Sequence, residues 1–201
     1  MAYHEEWGSI RTPLMLIMFI ALLTSFLVGG VIPLNKSLAD YFFKVMEEMK
    51  KEVLVSESVL LIALRIFAHN ATTAVLMLVP FLGLAWGLVT LFTTGLTANA
   101  VLTLNGITSS LFKLSYLLLL LAQPHSILEL AAYSLLSSES VMLTISFKGG
   151  HLKEEALKAL KVALVSFLML LIAAVVEAYV ICLHLGAGKA LKPSPFPPSW
   201  K

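Results

Sequence analysis

Apolar positions along the chain gather into long blocks divided by short polar interruptions. About 20 mostly apolar helical residues are needed to cross the ~30 Å hydrocarbon layer of a bilayer. Residues 13–32, 58–79, 81–104, 125–147 and 162–185 meet that length. Gly29-Gly30-Val31-Ile32-Pro33 closes the first block, Pro80 divides the second from the third, and Asn105-Gly106 marks a turn after the third. Residues 107–123 are ambiguous. Ser109, Ser110 and Lys113 leave only Leu114 to Ala122 as a clean apolar run, which predicts either a short tilted span or a re-entrant half-helix ended by Gln123-Pro124. The first block is read as an uncleaved span, because Glu5 and Glu6 outnumber Arg11 in its flank and no small-x-small cleavage site follows.

Two further stretches alternate with helical period. In 34–56, Leu38, Tyr41, Phe42, Val45, Met46 and Met49 recur at three- and four-residue steps, with Lys36, Lys44, Glu47, Lys50 and Lys51 largely between them. The spacing predicts an amphipathic helix over about 36–56, lying on the membrane surface or packed on another part of the protein. Residues 151–161 predict a second surface helix, with Glu154 and Lys158 at i,i+4. The expected fold is an all-α polytopic membrane helix bundle with five to six membrane segments and two amphipathic surface helices. Its organisation is an N-terminal tail at 1–12, one membrane domain at 13–185 and a flexible Pro-rich tail at 186–201.

Composition narrows the class. The chain has 201 residues, 59% hydrophobic and only 13% charged, where a soluble domain carries roughly 25% charge. These values exclude a disordered chain, a disulfide scaffold and an ordinary soluble enzyme, and the lipid bilayer becomes the first expected partner. A net charge of +2 is too small to indicate nucleic-acid binding. A lone cysteine, Cys182, carries no disulfide argument. With six spans, Arg11, Lys189, Lys192 and Lys201 share one side; Lys36, Lys44, Lys50, Lys51, Lys113, Lys148, Lys153, Lys158 and Lys161 share the other. The second set would face the cytoplasm, but a re-entrant 107–123 voids that count.

Polar residues inside the apolar blocks carry the chemistry. An ionisable group at membrane depth costs at least ~2.5–3.5 kcal/mol on insertion scales, so it faces protein or water. Arg65, His69, Asn70, Asn99, His125, Glu129, Glu139 and Glu177 form the candidate intramembrane site. Arg65 and His69 share a helix face, as do His125 and Glu129, and Glu177 shares one with His184. The three stripes are expected to converge, with Arg65 neutralising one of Glu129, Glu139 or Glu177. Thr90, Thr93, Thr94 and Thr97 either line a polar cavity or bond to their own helix backbone. Gly83 and Gly87 have the GxxxG spacing that lets helices approach closely, within the chain or across a homodimer. No H-E-x-x-H, G-x-S-x-G or P-loop pattern occurs, no two histidines share a helix at ligand spacing, and no cofactor or metal is expected.

One set of motifs goes further. Ile66-Phe-Ala-His-Asn70, Thr97-Ala-Asn99-Ala100 and Pro124-His125-Ser126-Ile127-Leu128-Glu129-Leu130 resemble the stage II sporulation protein M family over roughly residues 58–180. The family pattern at the last element is Pro-His-Gly, two apolar residues, Glu and an apolar residue. Ser126 replaces its glycine, Ala100 replaces the glycine expected after Asn99, and Glu139 lies outside the pattern. The resemblance implies a multi-pass membrane protein and points to Asn70, His125 and Glu129. Its namesake is a membrane scaffold of a cell-wall remodelling complex in spore-forming bacteria, and similar proteins occur without sporulation. The expected function is a non-enzymatic scaffold or assembly factor in the cell membrane, with membrane or cell-envelope protein partners. The alternative is a transporter or channel for a small solute or ion along His125, Glu129 and Glu177. An intramembrane enzyme is the least expected class.

Overall fold

Each apolar block is helical in the computed structural model, which describes the backbone of residues 2–53 and 58–190 and the side chains of residues 10–53 and 58–183. Seven helices make up the described residues: α1 (Ala2–Val31), α2 (Lys36–Val53), α3 (Val59–Met77), α4 (Gly83–Leu104), α5 (Ser110–Leu121), α6 (Pro124–Gly149) and α7 (Leu152–Ala190). No strand occurs among them. Five contain a stretch long and apolar enough to cross a membrane: Ile10–Val31, Val59–Met77, Gly83–Leu104, Pro124–Gly149 and Leu152–Leu183. The 12 residues of α5 span ~18 Å at 1.5 Å per residue, well short of a crossing. The half-helix alternative for 107–123 is therefore the one with the observed length.

Local chemistry sets the helix ends. Asn35 accepts a hydrogen bond on its side-chain oxygen from the N–H of Leu38, 2.8 Å away, and so caps α2. Pro124 occupies the first turn of α6, where its missing N–H removes no helical bond, and Gly150 ends the helix in the left-handed conformation at φ 76°. Between α3 and α4, Phe81 adopts φ 65°, a region disfavoured for a residue with a Cβ. Its N–H is held by the Thr144 hydroxyl at 2.7 Å and its ring meets Phe147 edge-on at 5.8 Å, so α6 holds the turn.

Three boundaries differ from the sequence expectation. Helix α1 begins at Ala2 and runs through Pro13, so residues 2–12 are helical rather than a tail. Gly29-Gly30 does not break α1; an added Cβ on Gly29 would lie 2.2 Å from the Phe92 carbonyl oxygen, so the glycine is there for contact with α4. Residues 151–161 do not form a helix of their own, because α7 is continuous over 39 residues. That is ~58 Å of helix, and its first turns continue the span. Of the expected tail at 186–201, residues 186–190 continue α7 and residues 191–201 lie outside the described residues, as does the side chain of His184.

The core is drawn from α1 and from α3 to α7, with Leu22, Met77, Leu117, Leu136 and Leu170 fully buried. Helices α6 and α7 form the most extensive pair and α1 with α4 the next. Contacts sort the helix ends into two groups. Arg11 near the start of α1 meets Glu139 of α6 and Glu155 of α7, and a Cβ on Gly83 would meet Met77 and Ser140. That end therefore holds the α3–α4 and α6–α7 turns. At the other end, Asn99 reaches the carbonyls of Gly29 and Ile32, and Gly30 lies against Leu117 of α5. The amphipathic α2 belongs to this second end. One face of it buries Ala39 against α4, while Leu38, Tyr41, Val45 and Met49 form an exposed apolar stripe. Both expectations for this helix are therefore partly met: it is packed, and it keeps a face suited to the membrane interface.

Candidate intramembrane polar sites

The polar side chains form three groups. In the first, Asn70 on α3 donates from Nδ2 to Glu129 Oε1 on α6 at 2.8 Å. Tyr133, one helical turn beyond Glu129, is 6% exposed, and both it and Glu129 lie within electrostatic range of Glu177 on α7. Three helices thus converge on two carboxylates, an amide and a phenol. His125 is half-buried one turn before Glu129, and its Nδ1 is buried without a hydrogen-bond partner.

Arg65 and His69 do not join this group. His69 is exposed. Arg65 donates to the main-chain carbonyl of Glu52 at the C-terminal turn of α2. Helix α3 turns only Asn70 toward Glu129, although Arg65 and His69 are one turn apart on the same helix. The expected neutralisation of Glu129, Glu139 or Glu177 by Arg65 is corrected accordingly. Arg65 sits near the second end, where a long side chain reaches a carbonyl at the C-terminus of α2, favourable for a cation.

The second group neutralises Glu139. Arg11 lies 3.3 Å from Glu139 and also bonds Glu155, which in turn accepts from Lys158 at 2.7 Å. Glu139 is only 2% exposed, and its Oε2 is off hydrogen-bond alignment despite the ion-pair distance. Helices α1, α6 and α7 are thereby linked through alternating charges. The third group centres on Asn99, fully buried on α4. Its amide donates to the carbonyls of Gly29 (3.2 Å) and Ile32 (2.7 Å). Its oxygen accepts from Lys113 Nζ of α5 at 2.6 Å and from the Thr103 hydroxyl at 3.1 Å. Lys113 also reaches Thr103 at 2.8 Å, and it is itself buried. One lysine thus anchors the short helix to α4, whose Asn99 in turn holds the end of α1.

Arg11, Glu155 and Lys113 were not among the sequence candidates. Arg11 and Lys113 read as flanking charges that delimit apolar runs, and Glu155 as part of a solvated helix. The available signal was positional: Glu155 begins the stripe Glu155, Ala159, Ala163, Ser166, Leu170 and Ala174, all buried, which marks one face of α7 as interior.

The glycine and threonine expectations resolve clearly. An added Cβ on Gly83 would lie 2.6 Å from the Ser140 hydroxyl, and on Gly87 3.0 Å from that of Ser137. Both glycines are buried inside the chain, so the surface that suggested a homodimer is already occupied by α6. Thr93, Thr94 and Thr97 bond carbonyls one turn back, at 2.9–3.0 Å. They belong to their own helix and give no support to a polar cavity. Of the two clefts described, one of about 430 Å³ lies between α1 and α5 beside Val28, and the other of about 620 Å³ lies against α5 beside Phe112. Neither is lined by Glu129. Among the described residues, no three His, Cys, Asp or Glu converge as a metal site.

Long apolar helices joined by buried polar side chains define a polytopic α-helical membrane protein. The family model described as Stage II sporulation protein M matches residues 14–180, and the chain belongs to that family. The match takes in α1 and α2 as well as the region that carries the motifs. Comparison with curated proteins and with solved structures gave no match.

Proposed function

We propose that this protein is a non-enzymatic scaffold or assembly factor of the cell membrane. The observation that supports the reading is the use of charge at the two ends of the bundle. Arg11, Glu139, Glu155 and Lys158 link α1, α6 and α7, and Lys113 with Asn99 links α1, α4 and α5. Each network ties together helices distant in sequence, an arrangement that holds a shape. A scaffold needs a fixed outline to present to membrane or cell-envelope proteins, whereas a transporter must reopen such contacts as it cycles.

The test is assembly in native membranes. Gently solubilised full-length protein is expected to migrate with other envelope proteins as a complex larger than one chain, and Arg11→Ala to shift it toward the free protein. Recovery from native membranes solely as a single chain, for wild type and variant alike, overturns the scaffold reading.

A further inference from the structure

Helix α5 is fastened differently from the long helices. Of its 12 residues only Lys113 and Leu117 are buried, one turn apart on a single face. Leu117 lies against Gly30 of α1. Lys113 Nζ donates to Asn99 Oδ1 at 2.6 Å and to the Thr103 hydroxyl at 2.8 Å, both on α4. These acceptors are an amide and a hydroxyl, whereas Arg11 at the opposite end is held by carboxylates. Releasing Lys113 from them strands no buried counter-charge, unlike the breaking of an ion pair. The rest of α5 is loosely placed. Leu111, Phe112, Leu118 and Leu119 are exposed. The two clefts flank the helix, one between Val28 of α1 and Leu111, the other beside Phe112 and Tyr116. The connection leading into α5, residues 105–109, is exposed throughout. Within it Gly106 holds φ 79°, and a Cβ placed there would meet nothing within 4 Å. At the other end, Gln123-Pro124 passes directly into α6. A helix with few buried side chains, a slack connection at one end and a fixed turn at the other has the parts of a hinged element.

We propose that α5 is a hinged strap over the seam between α1 and α4, closed by Lys113 and pivoting at Gln123-Pro124. In the closed position Leu117 covers Gly30, and Lys113 covers Asn99, which is fully buried. Lifting the strap bares Gly30 and the Asn99 oxygen and joins the space on its two sides into one groove. The seam beneath stays shut. Asn99 keeps its bonds to the Gly29 and Ile32 carbonyls, and Gly95 keeps its contact with Phe26. The open form therefore presents an amide oxygen in an otherwise apolar groove, and the closed form hides it. The strap goes beyond the scaffold reading and does not rest on it, because the outline of the long helices is the same in both positions.

The test measures distances by pulsed electron spin resonance in the full-length protein in lipid nanodiscs, in a Cys182→Ser background. Spin labels are carried by Phe112→Cys on α5 and Val165→Cys on α7, both at exposed positions. A second pair, Val89→Cys on α4 with Val165→Cys, reports the frame. Lys113→Met keeps the length of the side chain and removes its donors. In that variant the strap pair is expected to show a second distance, with a population about tenfold that in the Lys113 protein, the change a lost hydrogen bond to a charged group gives. The frame pair keeps one distance. Thr103→Val preserves shape and removes one acceptor of Lys113. It shifts the same balance by less, and it carries the test where Lys113→Met fails to fold. An unchanged single distance for the strap pair in every folded variant overturns the proposal. So does an equal change in the frame pair, which marks loosening of the whole bundle. The scaffold reading stands or falls on complex size with Arg11→Ala, and neither result decides the other.

Discussion

Replacing Glu129 by Gln removes an ionisable carboxyl and keeps a side chain able to hydrogen-bond Asn70. No Lys or Arg among the described residues is left unpaired by the change. In detergent at neutral pH, the Tm of Glu129→Gln is therefore expected to equal or exceed that of wild type. A large drop would show that the carboxylate has a cationic partner. Arg11→Ala has the opposite sign, because it strips Glu139 and Glu155 of their shared partner. Breaking a fully buried ion pair typically costs ~3–5 kcal/mol. The loss here is expected at about 2–3 kcal/mol, since Arg11 is partly solvated and Lys158 stays on Glu155. Read as two melting curves, the pair of variants separates a charge that holds helices together from one that does not.

At the scale of helices, close approach is set by a few glycines. A Cβ at Gly95 would sit 2.1 Å from the Phe26 carbonyl oxygen, while at Gly87 the nearest neighbours are side-chain tips at 3.0 and 3.1 Å. Backbone cannot yield as a leucine methyl can. Gly95→Ala must therefore separate α1 from α4, and a loss at or above the ~1–3 kcal/mol typical of overpacked cores is expected. Gly87→Ala is expected to cost clearly less. Equal Tm values for the two variants would contradict the observed α1–α4 contact. The same contact explains why Gly29-Gly30 is a misleading signal in sequence. Glycine weakens a helix in water, but between membrane helices the absent side chain permits packing that offsets the loss.

For the whole molecule, the short α5 decides the path of the chain. Helix α1 runs from the Arg11 end to the Asn99 end, α3 returns, α4 repeats the direction of α1, α6 returns and α7 crosses again. With five crossings, the α6–α7 turn lies opposite α2. Single-cysteine variants at Lys44 and His151, made in a Cys182→Ser background, are expected to react with an impermeant reagent from opposite sides of the membrane. Labelling from one side would restore α5 as a crossing. The same path alters the charge asymmetry. Among the described side chains, Lys36, Lys44, Lys50, Lys51, Arg65 and Lys113 belong to the α2 end, against Arg11, Lys148, Lys153, Lys158 and Lys161 at the other. Six against five is too even for the positive-inside rule to assign an orientation.

The five long apolar spans, the α2 amphipath, the turns at Pro80, Asn105-Gly106 and Gln123-Pro124, and the family were legible in the sequence alone. Each depends on local quantities: the length of an apolar run, its period, or a residue that cannot continue a helix. That Asn70 and Glu129 belong to one polar group was legible too, because buried polar groups on neighbouring spans satisfy each other, but the expected group also held His69, which is exposed. Which cation meets which carboxylate was not. Arg65 and Arg11 both lie near enough to apolar blocks to serve, and the choice follows from which end of the bundle each helix brings to α6. Continuity of α7 through residues 151–161 was equally hidden, since a charged helix on the surface and a charged helix projecting from a span share one pattern. Periodicity fixes the face of a helix. The neighbour on that face, and hence whether a buried charge is paired, is a long-range property that only packing of all seven helices decides.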